Sequence, residues 1–132
     1  MPGVPLFAGG KSFGGRMTSQ AQAAASLSGV RGLIFIGFPL HPAGKPSDER
    51  GRHLFNIRVP MLFLQGTRDA LAEPRLLRPV VQRLGAHATL HMIEHADHAF
   101  HVPVRSGRSD AEVLDELAAT SVAWMRRNQR PA

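Results

Sequence analysis

The 132-residue chain has no cysteine and no tyrosine. The first absence excludes disulfides and thiolate metal sites. With no tyrosine, and with the single tryptophan, Trp124, on the apolar side of a helical pattern, there is no aromatic platform for stacking bases. The strongly apolar runs are only strand-sized, so no segment is expected to span a membrane. Met1-Pro2-Gly3-Val4-Pro5 lacks a basic stretch followed by a long apolar one; no signal peptide is read there, and a soluble, cytoplasmic protein is expected. Clustered charge is scarce as well. The net charge is +6, yet the basic residues are nearly all arginines scattered along the chain, apart from Arg126-Arg127 and Arg130. That pattern describes a solvated surface, and no nucleic-acid partner is expected.

What is present suits a packed core: 43% of the residues are hydrophobic, enough for one domain or part of one. Four apolar runs read as strands: Leu6-Phe7-Ala8, Leu33 to Ile36, Met61 to Leu64, and Thr89 to Ile93. The middle two are apolar at every position, as in parallel strands covered on both faces. Helical patterns separate them. After Ser12, the residues Phe13, Met17, Ala21 and Ala24 share one face, with Gly29 at or just past the end. Phe38 to Ile57 is irregular, with a short helix expected from Ser47 as N-cap. Glu73 to Leu84 reads as a helix interrupted at Pro79, which would begin a second piece, capped by Gly85. The last helix, Ser109 to Asn128, opens on a capping box formed by Ser109 and Glu112 and is limited by Pro131. Val113, Leu114, Leu117, Ser121, Trp124 and Met125 make its apolar face. The alternation predicts an α/β fold: a parallel sheet of about four strands in chain order, with helices on both faces. Right-handed crossovers put the three connecting segments on one face, and the last helix covers the other with Leu114, Leu117 and Trp124.

Between the first strand and the first helix lies Gly10-Lys11-Ser12-Phe13-Gly14, a G-x-S-x-G pentapeptide. Its chemistry needs a tight turn with serine at the apex, held at positive φ so that the hydroxyl stands clear. Glycines two before and two after the apex are expected where the backbone approaches too closely for a Cβ. Gly10-Lys11-Ser12 could also close a phosphate loop, but that motif needs glycine where Pro5 stands. Its strand also leaves too little loop, and neither later apolar strand ends in an aspartate for Mg²⁺. The nucleotide reading is rejected.

Ligands of an open parallel sheet gather beyond the carboxyl ends of its strands. The first strand ends at Ser12, the third runs into Gln65-Gly66-Thr67-Arg68-Asp69, and the fourth into Glu94-His95-Ala96-Asp97-His98. Ser, Asp, His is the chain order expected of a serine elbow followed by its triad partners. Asp97, Asp48 and Glu94 are rivals for the acid, and His95 for the base. His91, His95, His98 and His101 have a helix-like spacing, but His91 falls in a strand and Pro103 follows closely, so no metal site is expected.

Gly9 to Arg16, Pro60 to Asp69 and Ala96 to Phe100 together resemble the C-terminal half of an α/β-hydrolase of the dienelactone-hydrolase-like branch. The closest resemblance is to small hydrolase-like proteins grouped with a testis-expressed protein and a histone acetyltransferase complex subunit. The resemblance implies that residues 1–132 form one partial hydrolase domain, without the first half of the fold and the loop that donates one oxyanion N–H. It also implies Ser12 as nucleophile, Asp69 as acid, His98 as general base and the Phe13 N–H as oxyanion donor, acting on a small ester or acyl substrate without a cofactor. Phe38, Pro39, Leu40 and Phe100, which follow strand ends, are candidates for an acyl pocket. The alternative is a non-catalytic, hydrolase-like interaction domain. A half-sheet should leave its first strand unpaired. Leu6, Phe7, Leu33 or Phe35 should then be more exposed than usual, and copies should self-associate through the Leu6–Ala8 edge.

Overall fold

The computed structural model describes residues 4–129; Arg130 and Pro131 lie outside them. Four parallel strands, β1 (Leu6–Lys11), β2 (Val30–Ile36), β3 (Met61–Gly66) and β4 (Ala88–Ile93), form one sheet in chain order. Lys11 pairs with Ile36, Ile36 with Leu64, and Leu64 with His91, so one row crosses the whole sheet just short of its carboxyl end. The residues beyond that row are those singled out above. The register thereby brings three distant stretches of chain to one rim.

A period of two divides the strand side chains between two cores. Leu33, Phe35, Met61 and Phe63 face one side, where Leu77, Val80, Val81 and Leu84 of helix α2 (Pro74–Leu84) join them. Ala23 of helix α1 (Phe13–Ala24) and Leu54 of the 3-10 segment Glu49–Asn56 pack on the same side. Leu62, Leu64 and Ile93 face the other side, under Val113, Leu117 and Trp124 of helix α3 (Asp110–Arg127). The three connections therefore share one face, and α3 covers the other, as right-handed crossovers require. Each fully buried Leu or Phe contributes roughly 1.5–3 kcal/mol relative to exposure.

Several local expectations change. Leu33 and Phe35 have no exposed surface, whereas Leu6 is 53% exposed and Phe7, Ile34 and Ile36 are half-buried. Leu33 and Phe35 point to the face with three covering segments; Phe7, Ile34 and Ile36 lie on the other face, under α3, while Leu6 stands at the free edge of β1 beside Val4, Ser28 and Gly29. Leu114 is also exposed, on a flank of α3 that nothing described covers. Helix α1 buries Gly15, Ser19 and Gln22, while Phe13, Ala21 and Ala24 face outward. It seats its backbone against β1 through glycine, and a small, partly polar face allows that closeness. The helix ends at Ala24, and Gly29 instead takes positive φ in the turn before β2. Pro79 does not split α2: the apolar side chains at 77, 80, 81 and 84 hold the helix together around the missing hydrogen bond. The expected short helix after Ser47 is the 3-10 segment. The capping box of α3 is present, with the Glu112 N–H donating to Ser109 Oγ and the Ser109 N–H to Glu112 Oε1.

Candidate active site

Ser12 forms the apex between β1 and α1 with φ 53° and ψ −119°, a conformation that L-residues rarely hold. Its N–H donates to the Ile36 carbonyl at 2.8 Å, tying the apex to β2. The close approach that makes this turn possible runs between Gly10 and Gly15. A Cβ on Gly10 would lie 2.6 Å from the Gly14 carbonyl carbon and 2.7 Å from the Gly15 nitrogen, and one on Gly15 would lie 2.6 Å from the Gly10 oxygen. Gly14 has open space where a Cβ would go, so the second glycine of the pentapeptide is not the one the turn requires. The helix has by then turned that position outward.

Ser12 Oγ lies 2.7 Å from His98 Nε2, and His98 Nδ1 lies 2.8 Å from Asp69 Oδ2. A carboxylate can only accept, so Nδ1 carries the ring proton and Nε2 is left to accept from the Ser12 hydroxyl. Asp69 is almost wholly buried, and its second oxygen accepts the Leu71 N–H at 2.8 Å. Gln65, fully buried at the end of β3, donates from Nε2 to Asp69 Oδ2 at 3.4 Å and accepts the Phe38 N–H at 2.5 Å. Sequence reasoning missed Gln65; its signal was a polar residue extending an otherwise wholly apolar strand. The two loops are also joined by backbone, since the Thr67 and Arg68 N–H groups donate to the Ile93 and Ala96 carbonyls. The His98 ring rests near Gly37, where a Cβ would stand 3.4 Å from its Cε1.

The rivals are otherwise engaged. Asp97 Oδ1 accepts the N–H groups of Ala99 and His101, which shapes the loop that carries His98. Asp48 pairs with Arg83, while Glu94 and His95 are exposed. His91 and His101 go to Glu116 and Asp110, so the spaced histidines do not converge. Among the described residues no group of His, Asp and Glu could hold a metal ion. Phe38 and Leu40 have no exposed surface and pack in the core, and Pro39 is buried beside them. Phe100, at φ 63°, instead borders a cavity of about 360 Å³ with Ile36, Ala99, Leu114 and Leu117. Lys11 also lines it, so the chain neighbours of both Ser12 and His98 stand at its wall.

Residues 2–126 match a family described as alpha/beta hydrolase domain. The chain belongs to the α/β-hydrolase family. The same hydrolase fold appears in the esterase domain of a Rhodothermus marinus protein, at 16% identity and a TM-score of 0.70, covering 96% of this chain and 62% of that one. An α/β serine hydrolase without a lid from Xanthomonas campestris is 24% identical with a TM-score of 0.60, over 91% of this chain and 48% of that one. A candidate dienelactone hydrolase from Klebsiella pneumoniae is 20% identical with a TM-score of 0.64, over 92% and 51%. The chain thus spans about half to three-fifths of the length of these α/β-hydrolases. No helix among its described residues is long and apolar enough to cross a membrane.

Near the rim, the hydrogen bond that His101 Nδ1 donates to Asp110 raises the pKa of exposed His101, and the charge of Asp110 adds to it. The Val102 N–H lowers the Asp110 pKa first, and the bond from His101 lowers it further. The pair's contribution is therefore fully present between the ordinary carboxylate range and about pH 6.5. It is lost as pH rises through the raised His101 value, or falls through the lowered Asp110 value. In an NMR titration, Asp110→Asn should return His101 toward the ordinary histidine range; an unmoved midpoint would exclude Asp110 as the cause.

Proposed function

We propose that the chain carries the reacting groups of a serine hydrolase for small esters or related acyl compounds. The observation that carries this reading is the continuous pair of hydrogen bonds from Ser12 through His98 to Asp69. Ser12 Oγ attacks the carbonyl carbon as its proton passes to His98 Nε2, and Asp69 holds the ring and stabilises the cation. The Phe13 N–H, which has no carbonyl of its own to reach at the first position of α1, donates to the oxyanion. His98 then protonates the leaving alkoxide. In the second half, water attacks the acyl-enzyme, its proton goes to His98, and the acid is released with Ser12 restored. No step calls on a cofactor. The cavity beside Phe100 is suited to an apolar part of the substrate.

Phe13 supplies one oxyanion donor, and the resemblance assigns the second to a loop in the first half of the fold. Lacking one donor typically lowers the rate by about 10²–10³, so weak turnover is expected of the chain alone. Its β1 edge has no strand partner among the described residues, and pairing of two such edges would give a dimer in size-exclusion chromatography. The finer resemblance, to the testis-expressed and acetyltransferase-subunit group, rests on the three sequence segments quoted above. A fluorophosphonate probe tests the reading directly. Covalent labelling at Ser12 of the folded chain is expected, and a folded chain that stays unlabelled would favour a non-catalytic interaction domain.

A further inference from the structure

His41 has no exposed surface, and both of its ring nitrogens are bonded, yet neither bond goes to Ser12, His98 or Asp69. It stands in the stretch that leaves β2 past Gly37 and Phe38. Nδ1 lies 2.9 Å from the Pro42 carbonyl oxygen, and Nε2 lies 3.0 Å from the Glu73 nitrogen. A carbonyl only accepts, so Nδ1 carries the ring proton. A backbone N–H only donates, so Nε2 accepts it. The ring is therefore neutral and held in one tautomer, with its acceptor aimed at a distant loop.

That loop carries Asp69. The His41 N–H donates to the Leu71 carbonyl at 2.9 Å, and the Leu71 N–H donates to Asp69 Oδ1 at 2.8 Å. Gln65 Nε2 reaches Asp69 Oδ2 only at 3.4 Å, beyond the usual range, so Leu71 is the closer restraint on the carboxylate. Glu73 ends the loop as the N-cap of α2, and its own side chain pairs with Arg75 at 2.8 Å instead of capping the helix. The segment from Asp69 to Glu73 is thus tied to the β2 exit twice, at Leu71 by backbone and at Glu73 by the His41 ring.

A partly buried N–H left without an acceptor is costly, so Glu73 deprived of the ring would turn to find another partner and draw the loop with it. We propose that His41 is a positioning residue for the relay: its ring fixes the far end of the loop that begins at Asp69, and so keeps that carboxylate on His98 Nδ1. This rests on the reading of Ser12, His98 and Asp69 as a proton relay. Such placement matters, since a displacement of about 1 Å at a reacting group lowers rates by about 10².

Three variants of the full chain separate this role from packing. His41→Gln puts an amide oxygen near the place of Nε2, and His41→Met fills nearly the same volume but accepts nothing. His41→Asn keeps a donor for Pro42 and falls short of Glu73. For a nitrophenyl ester, kcat should fall about 10–100-fold in His41→Met and His41→Asn with KM little changed, and His41→Gln should recover most of the loss. Equal kcat in His41→Gln and His41→Met would mean that the ring only fills space, and would overturn the proposal. NMR supplies a readout that needs no turnover. In folded His41→Met the His98 Nδ1–H resonance should move or broaden, whereas His41→Gln leaves it in place. If the unaltered chain cleaves no ester, the nucleophile reading is at fault, and this resonance still decides the role of His41. A resonance unmoved in His41→Met refutes it. Should the variants not fold, the ring nitrogen shifts of the unaltered chain decide: Nδ1 protonated and Nε2 bare is expected, and a protonated Nε2 would refute the proposal.

Discussion

Ser12→Ala lowers nitrophenyl-ester turnover by about 10⁴–10⁶ where the other catalytic parts are complete. The size follows from the geometry, in which the Ser12 hydroxyl lies 2.7 Å from His98 Nε2. His98→Ala should cost nearly as much, and the double variant little more, because the two groups act as one unit. Asp69→Asn should cost about 10⁴. The amide would offer an N–H to Nδ1 and favour the wrong tautomer, with Gln65 left to rearrange around it. Steady-state kinetics with circular dichroism as a folding check would decide the matter. Full turnover in folded Ser12→Ala would remove this serine from the chemistry.

Gly66→Ala should lower stability by about 3 kcal/mol or more, at or above the upper end for overpacking a tight interior. The added Cβ would stand 2.2 Å from the Ala96 oxygen and 2.7 Å from the Asp97 oxygen. Both obstacles are backbone, so no side-chain rotation relieves the clash. The β3 and β4 rims would have to part, and those rims carry Asp69 and His98. Chemical denaturation should show the loss of stability, and the His98 ring resonances should move with it. Gly14→Ala is the control, since a Cβ there meets nothing within 4 Å. Equal midpoints for the two alanine variants would mean that the β3–β4 rim yields at little cost.

The framework of the candidate site was legible where the signal is local. Apolar runs three to five residues long, separated by helical periods, specify strands and helices by burial alone, and right-handed crossover then orders the sheet. Ser109 and Glu112 announced the start of α3 because a capping box is contained within four residues. Ser12, Asp69 and His98 stood out because each follows a strand end, and a parallel register brings strand ends to one rim.

Contacts between distant residues were another matter, and only tertiary structure decided them. The Gly10–Gly15 approach depends on how steeply α1 leaves β1, which no pentapeptide encodes. Along the chain Asp97 is disfavoured only because it adjoins His98 and would struggle to fold back on its ring. Folding turns Asp69 toward His98 Nδ1 and ties Asp97 to the Ala99 and His101 N–H groups. Phe38 and Phe100 both follow strands, yet Phe38 packs with Phe35 and Phe63 while Phe100 borders a cavity. Gln65 acquires its role only because Phe38 and Asp69 arrive on either side of it. Periodicity and burial act within a few residues and can be read in order, whereas hydrogen bonds and charge pairs depend on which surfaces meet after folding.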